Sequence, residues 1–161
     1  PLDEVVNNGV NGSKTEELIP RLENLQDQRF HIIVIHTGGN DIVRFTPVEE
    51  AAQDLEKVLQ LAKNISEHVI VLHSGDVGSA ILLPFGTRSM YTKRTLAYRD
   101  AWMRVTKEYG AHYVDLFVEK QSDPFSQNPK KYYAADLFHP SGDGYGIWFE
   151  QIEKKLDSIG V

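Results

Sequence analysis

Short apolar runs alternate with segments of helical period along the whole chain. The runs predict strands at residues 31–36, 69–72 and 113–116. A further strand is predicted to end at Val6. Between the runs, apolar residues recur every three or four positions, which is typical of helices that bury one side. Since no repeat, linker or low-complexity stretch interrupts this order, we expect a single domain over residues 1–161.

The first two helices begin at recognisable start signals. The Ser-x-x-Glu spacing from Ser13 is that of a capping box, and Pro20 predicts a kink in the helix that follows. Thr46, Pro47 and Glu49 supply a cap, a first-turn proline and a second capping box. The positions expected to face the core are Leu18, Leu22 and Leu25 in the first helix and Val48, Ala52, Leu55, Leu59 and Ala62 in the second.

Two more helices complete the pattern. One is predicted over about residues 92–109, stopped by Gly110. The other is predicted over about residues 143–158 and ends before Gly160. The last helix is expected to bury Tyr145, Ile152 and Leu156. Apolar strands separated by helices predict an α/β fold, a doubly wound three-layer α/β/α domain with a parallel sheet. Ligands of such sheets bind at the carboxyl ends of the strands.

Composition narrows the classes of partner. The chain has 17 basic and 23 acidic residues and a formal net charge of −6. No cluster of Lys and Arg could follow a phosphate backbone, so we expect no nucleic-acid partner. The apolar runs are too short for a membrane span. The absence of cysteine excludes disulfides, a thiol nucleophile and thiolate metal ligands, and it leaves the compartment and the oligomeric state open.

A carboxylate and a histidine three residues apart, Asp136 and His139, are the sharpest chemical signal. A histidine that acts as a general base must be held in one tautomer. A carboxylate at this spacing can reach the Nδ1 atom of the ring while Nε2 faces a nucleophile. The alternative is structural, with Asp136 capping the next helix beside a half-buried histidine.

Two glycines followed by Asn and Asp come directly after the strand predicted at residues 31–36. Gly38 and Gly39 allow a sharp turn and the close approach of a ligand, and Asn40 offers a neutral donor suited to a developing oxyanion. We therefore count Gly38, Gly39 and Asp41 as candidate substrate-binding residues. The alternative is an ordinary turn from strand to helix, where these residue types are common for backbone reasons.

The segment between the first predicted strand and the first helix contains a possible phosphate loop. Gly9, Gly12, Lys14 and Thr15 are similar in order to G-x-x-x-x-G-K-[ST]. The spacing fails, because the two glycines are too close and a serine separates glycine from lysine. Since G-x-G-x-x-G is absent as well, a nucleotide-binding fold is a poor interpretation.

Three strings together resemble the SGNH (GDSL-type) hydrolase family. Residues 7–13 (NNGVNGS) are similar to its second block, residues 38–41 (GGND) to its third block, G-x-N-D, and residues 136–139 to its fifth block, D-x-x-H. The run DLFHPSGDGY is also the form that the family carries before its last helix. The resemblance covers nearly the whole chain and favours the catalytic interpretation of the Asp and His.

The resemblance implies a flavodoxin-like fold and a serine ester hydrolase with a Ser-His-Asp triad. By residue-by-residue matching, Gly12 and Asn40 would donate hydrogen bonds to the oxyanion. His139 would be the general base and Asp136 would orient it. The substrate would be a small-molecule ester, and no cofactor is implied.

The family's first block, a strand leading to a G-D-S turn with the nucleophilic serine, has no match in this chain. Ser74 begins a similar string, SGDVGS, but valine stands where the serine should be, and we interpret this string as a substrate-side loop. Ser13 and Ser141 are interpreted as helix caps.

In the family's sheet, the missing strand lies between the strands predicted to end at Val6 and Ile35. Its absence would leave backbone groups unpaired on two buried edges. The biological polypeptide is therefore expected to be longer, with the serine in an N-terminal segment; a rearranged sheet and a strand supplied by a partner are alternatives. A different class of function is also open, namely a non-catalytic module that binds small molecules or carbohydrates.

Five histidines flank the predicted strands: His31, His36, His68, His73 and His112. Two of them could join Asp76 or Asp136 in a metal site. None shows a ligand spacing such as H-E-x-x-H, so no metal site is expected.

Overall fold

A three-stranded parallel sheet lies at the centre of the fold. The computed structural model describes residues 4–161, and residues 1–3 lie outside the described residues. The strands are β1 (Phe30–His36), β2 (Ser66–Leu72) and β3 (His112–Val114), in the order β1-β2-β3. Both pairs are parallel, as predicted.

Helices cover both faces of this sheet. Within the described residues they are α1 (Leu18–Glu23), α2 (Gly39–Val43), α3 (Val48–Ile65), α4 (Arg88–Glu108), α5 (Pro124–Gln127), α6 (Pro129–Tyr132) and α7 (Gly142–Ile159). The core on one face includes residues of α1, α3 and α4, and the core on the other face includes residues of α7. The predicted α/β class with a covered parallel sheet is therefore confirmed. None of the helices in the described part of the chain has the length and apolar character needed to cross a membrane.

Strand β2 contributes to both cores. Val69 and Val71 are buried together with the helices α3 and α4, whereas Ile70 and Leu72 are buried on the side of α7. Successive residues of a strand point to opposite faces, so a continuous apolar run is buried only when both faces are covered. This explains why β2 reads as an unbroken apolar run in the sequence.

The long helices bury the predicted faces, with one exception. Ala52, Leu55, Leu59 and Ala62 of α3 are fully buried, and Val48 of α3 and Ile152 and Leu156 of α7 are half-buried. Helix α4 begins one turn earlier than predicted, at Arg88, and ends before Gly110, which has a φ of +60°. Tyr145 is 50% exposed, so the prediction that it is buried is wrong. It lies in the first turn of α7 and contacts the edge of Trp148.

Two predicted helix caps are also wrong. The first helical segment opens with a 3-10 turn whose N-cap is Lys14, and the hydroxyl of Ser13 instead accepts a hydrogen bond from Arg21. The N-cap of α3 is Pro47, which has no side-chain donor or acceptor, and the backbone C=O of Thr46 accepts a hydrogen bond from Tyr98. In α1, Leu22 is buried and Leu18 is half-buried, and Leu25, which follows the helix, is half-buried as well. Pro20 lies in the first turn, a position that tolerates proline.

The prediction of a strand that ends at Val6 is wrong. Val5 and Val6 are exposed and belong to no strand. A strand needs hydrogen bonds from a neighbour, and none of the described strands lies beside β1 on the side away from β2. Within residues 4–161, β1 therefore has a free edge, and its apolar side chains are less well covered: Val34 is 49% exposed, whereas Ile70 of β2 is fully buried.

Candidate active site

Asp136 and His139 form a hydrogen-bonded pair. The Nδ1 atom of His139 lies 2.7 Å from Oδ2 of Asp136. The other carboxylate oxygen, Oδ1, accepts hydrogen bonds of 3.0 Å from the backbone N–H groups of Phe138 and His139. An acceptor beside Nδ1 keeps the ring proton on that nitrogen, so Nε2 carries the lone pair that a general base needs.

The same contacts control the charge of the carboxylate. The hydrogen bond with His139 and the two backbone N–H groups lower the pKa of Asp136 to about 2. Asp136 is therefore ionised at neutral pH. It can orient the imidazole ring and stabilise the positive charge that the ring acquires when it takes a proton.

The segment around the pair is held together by its own backbone. The N–H of Ala134 donates to the C=O of His139, and the N–H of Ser141 donates to the C=O of Tyr132, both at 2.8 Å. Leu137, between Asp136 and His139, has a φ of +58°, in the left-handed region that a leucine seldom adopts. This turn lets the chain double back, so that the Asp and His side chains meet.

Helix α7 begins directly after this segment and packs against it. The Oγ of Ser141 accepts a hydrogen bond of 3.2 Å from the N–H of Gly144, which confirms Ser141 as the N-cap of α7. A Cβ at Gly144 would lie 2.4 Å from the backbone oxygen of Tyr132. Only glycine allows this close approach, which seats the start of α7 against the segment that carries His139.

Asn40 lies just past the carboxyl end of β1, in the first turn of α2. The turn needs Gly38, which has a φ of +100°, and whose added Cβ would lie 3.1 Å from the ring of Trp102. The side-chain amide of Asn40 donates a hydrogen bond of 3.1 Å to the C=O of Ser13. Its second amide hydrogen can serve another acceptor. Asn40 is thereby tied to the loop that contains Gly12, a half-buried residue with a φ of +77°.

Asp41 has a different environment from the one that we predicted. It is buried, and one carboxylate oxygen accepts hydrogen bonds from the N–H (3.0 Å) and the hydroxyl (2.9 Å) of Thr15. Burial raises the pKa of Asp41, and the hydrogen bonds from Thr15 oppose this effect. The hydroxyls of Thr15 and Thr37 are 2.9 Å apart. Asp41 does not line the crevice, so its predicted contact with substrate is not supported; it joins the Gly12 loop to the turn after β1.

Thr15 has a structural role that its place in the sequence did not predict. Its hydroxyl and N–H link Asp41 to the loop that precedes the first helical turn. A threonine in the first turn of a surface helix normally faces solvent or caps the helix, so its position in the sequence gave no signal of burial.

A crevice of about 650 Å³ brings the remaining candidates to one place. Its wall contains Gly12, Gly38, Gly39, Asn40 and His139. Asp136 stands behind His139 and does not contribute to the wall. The crevice also extends along β1, whose residues 32–36 line it, and reaches Trp148 of α7.

The SGDVGS string lies in the same wall. Residues 74–77 and Ser79 line the crevice. Asp76 accepts a hydrogen bond of 2.9 Å from the hydroxyl of Thr92, and burial raises its pKa. The hydroxyl of Ser79 lies 2.6 Å from that of Tyr133. These contacts hold the loop in the wall of the crevice, and its contact with substrate stays a prediction.

The fold and the site together define a class of protein. An Asp-His pair and a glycine-rich turn with an amide donor share one crevice at the carboxyl ends of parallel strands, an arrangement suited to acyl transfer. Residues 1–147 match the sequence model of the GDSL-like Lipase/Acylhydrolase family. The chain therefore belongs to this family and is a hydrolase of the esterase or acylhydrolase kind. The resemblance noted in the sequence is confirmed.

Solved structures share the fold over nearly the whole chain. The crystal structure of TesA has a TM-score of 0.73 and 21% identity, covering 95% of this chain and 77% of that one. A catalytic mutant of Axe2, an acetylxylan esterase from Geobacillus stearothermophilus, has a TM-score of 0.70 and 20% identity, covering 94% and 71%. The lipase/acylhydrolase from Enterococcus faecalis has a TM-score of 0.68 and 19% identity, covering 91% and 72%. No curated protein matches the chain.

Proposed function

We propose that this protein hydrolyses small carboxylic esters with a serine nucleophile, His139 as general base and Asp136 as its orienting partner. Gly12 and Asn40 would donate hydrogen bonds to the oxyanion. The observation that carries the proposal is the hydrogen-bonded Asp136–His139 pair beside a crevice whose wall also contains Gly12 and Asn40. This chemistry requires no cofactor.

The reaction has two half-reactions. The serine Oγ attacks the acyl carbon while Nε2 of His139 takes the hydroxyl proton, and the charge that develops on the carbonyl oxygen is met by the N–H of Gly12 and the amide of Asn40. The bond to the alcohol then breaks as His139 returns the proton to the leaving oxygen, and an acyl-serine remains. Water, activated by His139, attacks the acyl-serine, and the acid and the free serine are released.

The serine, in this proposal, stands at the end of a strand that pairs with the free edge of β1. Two observations support this position. Among residues 4–161, no strand pairs with the N–H and C=O groups on this edge, and Val34 of β1 is 49% exposed. The crevice also follows residues 32–36 along this strand before it reaches Asn40 and His139. A strand parallel to β1 in this space would bring the residue after its carboxyl end next to both. An N-terminal segment of the polypeptide would supply it.

The structures of Axe2 support these roles by analogy. Its catalytic mutants replace a serine, a histidine or an aspartate by alanine, and the aspartate stands three positions before the histidine. Asp136 and His139 have the same spacing. Because Axe2 is also described as an acetyl-xylooligosaccharide esterase, we propose small-molecule esters as the substrate class.

One observation favours a second function, that of a binding module without catalysis. Within residues 4–161, the side chain of His139 is hydrogen-bonded to Asp136 and to no serine hydroxyl. A protein without the nucleophile would keep the crevice and bind a small molecule or a carbohydrate without cleaving it.

Labelling with a fluorophosphonate probe, combined with hydrolysis of p-nitrophenyl acetate, distinguishes the two functions. We expect the purified protein to react with the probe at one serine and to hydrolyse the ester. His139→Ala should lower kcat by roughly 10²–10⁴-fold, because the general base is removed.

The matched control is His112→Ala, which removes an imidazole at the amino end of β3, away from the crevice. This variant should keep the activity of the wild type. Equal turnover by His139→Ala and the wild type would refute the assignment. A folded protein that neither reacts with the probe nor hydrolyses the ester would favour the binding module.

A further inference from the structure

We infer that His31, Glu67 and His68 form a binding site for a transition-metal ion of the Zn²⁺ type. The site lies at the amino ends of β1 and β2 and is independent of the proposed hydrolysis.

The donor atoms of the three side chains converge. The Nδ1 of His31 lies 2.8 Å from Oε2 of Glu67, and one donor atom from each of the three residues lies within 4.8 Å of the others. The rings of His31 and His68 are 5.3 Å apart and perpendicular. One donor atom of each of the three side chains therefore already lies near the other two.

The chemistry of these donors matches zinc rather than magnesium or calcium. Zn²⁺ takes imidazole nitrogens and carboxylate oxygens at about 2.0–2.2 Å, so that neighbouring donors in a tetrahedral site are roughly 3.3–3.6 Å apart. The side chains of His31 and Glu67 are 62% and 73% exposed, so small rotations can bring the three donors to that spacing. Mg²⁺ and Ca²⁺ prefer sites built from oxygen alone.

The sheet provides a rigid frame for this site. Ile32 of β1 pairs with His68 of β2 in parallel register. The residues before them, His31 and Glu67, therefore lie opposite each other on adjacent strands. Ligands on strands are positioned more precisely than ligands on loops. A bound ion would link the two strands at the amino end of β1, about 20 Å along this strand from the turn at Thr37.

The pairing of strands explains why motif spacing gave no sign of this site. His31 and Glu67 are 36 positions apart in the chain. Metal motifs such as H-E-x-x-H depend on ligands within one helix or loop. Here the register of two parallel strands brings His31 of β1 next to Glu67 and His68 of β2.

Titration of the purified protein with Zn²⁺ by calorimetry tests the inference, with Mg²⁺ as the comparison ion and imidazole NMR signals as the readout of location. We expect one Zn²⁺ to bind, the signals of His31 and His68 to shift, and the melting temperature to rise, because the ion binds the folded protein. Mg²⁺ should have none of these effects.

Glu67→Gln is the most informative variant, because the side chain is exposed and its replacement should not disturb the fold. Loss of one of three ligands should weaken Zn²⁺ binding by about tenfold or more and abolish the thermal shift. His31→Ala should behave in the same way.

His112→Ala is the matched control. The ring of His112 lies 6.0 Å from that of His68, but its donor atoms do not belong to the converging group. This variant should bind Zn²⁺ as the wild type does. Undiminished binding by Glu67→Gln, loss of binding in His112→Ala, or shifts at His139 instead of His31 and His68 would each overturn the inference.

Discussion

The hydrogen bond between Asp136 and His139 makes the state of the site depend on pH. The pKa of Asp136 is lowered from 3.8 to about 2, chiefly by His139. The stability that the ionised carboxylate contributes is therefore fully present above its unfolded pKa and is lost as the pH falls towards 2. Carbon-13 NMR of the side-chain carboxyl should show this low titration in the wild type.

In His139→Ala the pKa of Asp136 should rise. It should stay below 3.8, because the backbone N–H groups of residues 138 and 139 still donate to the carboxylate. If the carboxyl of Asp136 in the wild type titrated with its ordinary pKa of 3.8, the pairing of Asp136 with His139 would be contradicted.

Asn40 should affect the transition state more than the bound substrate. Asn40→Ala removes the proposed oxyanion donor, so kcat should fall by about 10²–10³-fold with little change in KM. Steady-state kinetics measure both parameters. Asn64→Ala, which changes an exposed residue of α3, is the control and should leave both unchanged. A loss confined to KM would indicate a contact with the ground state.

Single residues were predictable where their chemistry is local. The pairing of Asp136 with His139 follows from a spacing that one turn of chain can close. The burial of Asp41 against Thr15 could not be predicted, because it depends on how two segments 26 positions apart pack together. A carboxylate beside a glycine turn looks the same in sequence whether it faces a substrate or the interior.

At the scale of elements, the start of α7 carries a strict steric requirement. A Cβ at Gly144 would lie 2.4 Å from the oxygen of Tyr132 and 2.9 Å from the ring of Phe125. Gly144→Ala should therefore lower the free energy of unfolding by about 1–3 kcal/mol, as overpacking does. Denaturant unfolding measures this change.

Gly146→Ala is the control in the same helix. A Cβ there meets no atom within 4 Å, and alanine favours a helix over glycine by up to about 1 kcal/mol. This variant should be as stable as the wild type or more so. If Gly144→Ala and Gly146→Ala lowered the free energy of unfolding equally, the cause would be alanine within the helix and not the contact of residue 144 with Tyr132.

Elements were predictable from the chain to the extent that they stabilise themselves. Helix α3 has 18 residues and a buried stripe of helical period, so its pattern was sufficient. The strand expected at Val6 could not be judged in this way, because an extended segment becomes a strand only when a neighbour pairs with it. None of the described strands pairs with Val5 and Val6, and both side chains are exposed.

At the scale of the molecule, the free edge of β1 should respond to the proposed serine-bearing strand. Alternate amides of β1 point away from β2, and those groups have no partner among the described strands. If the strand pairs there, hydrogen exchange should show these amides protected as strongly as the amides of β2. Fast exchange at alternate positions of β1 in a catalytically active protein would place the serine elsewhere.

The short segment around His139 closes on itself through bonds between Ala134 and His139 and between Tyr132 and Ser141. Its geometry therefore depends little on the other residues that line the crevice. In evolutionary terms, mutations can reshape those walls and alter the choice of substrate while the Asp136–His139 pair stays intact. Under the proposed function, a change of specificity would then leave the proton-transfer pair in place.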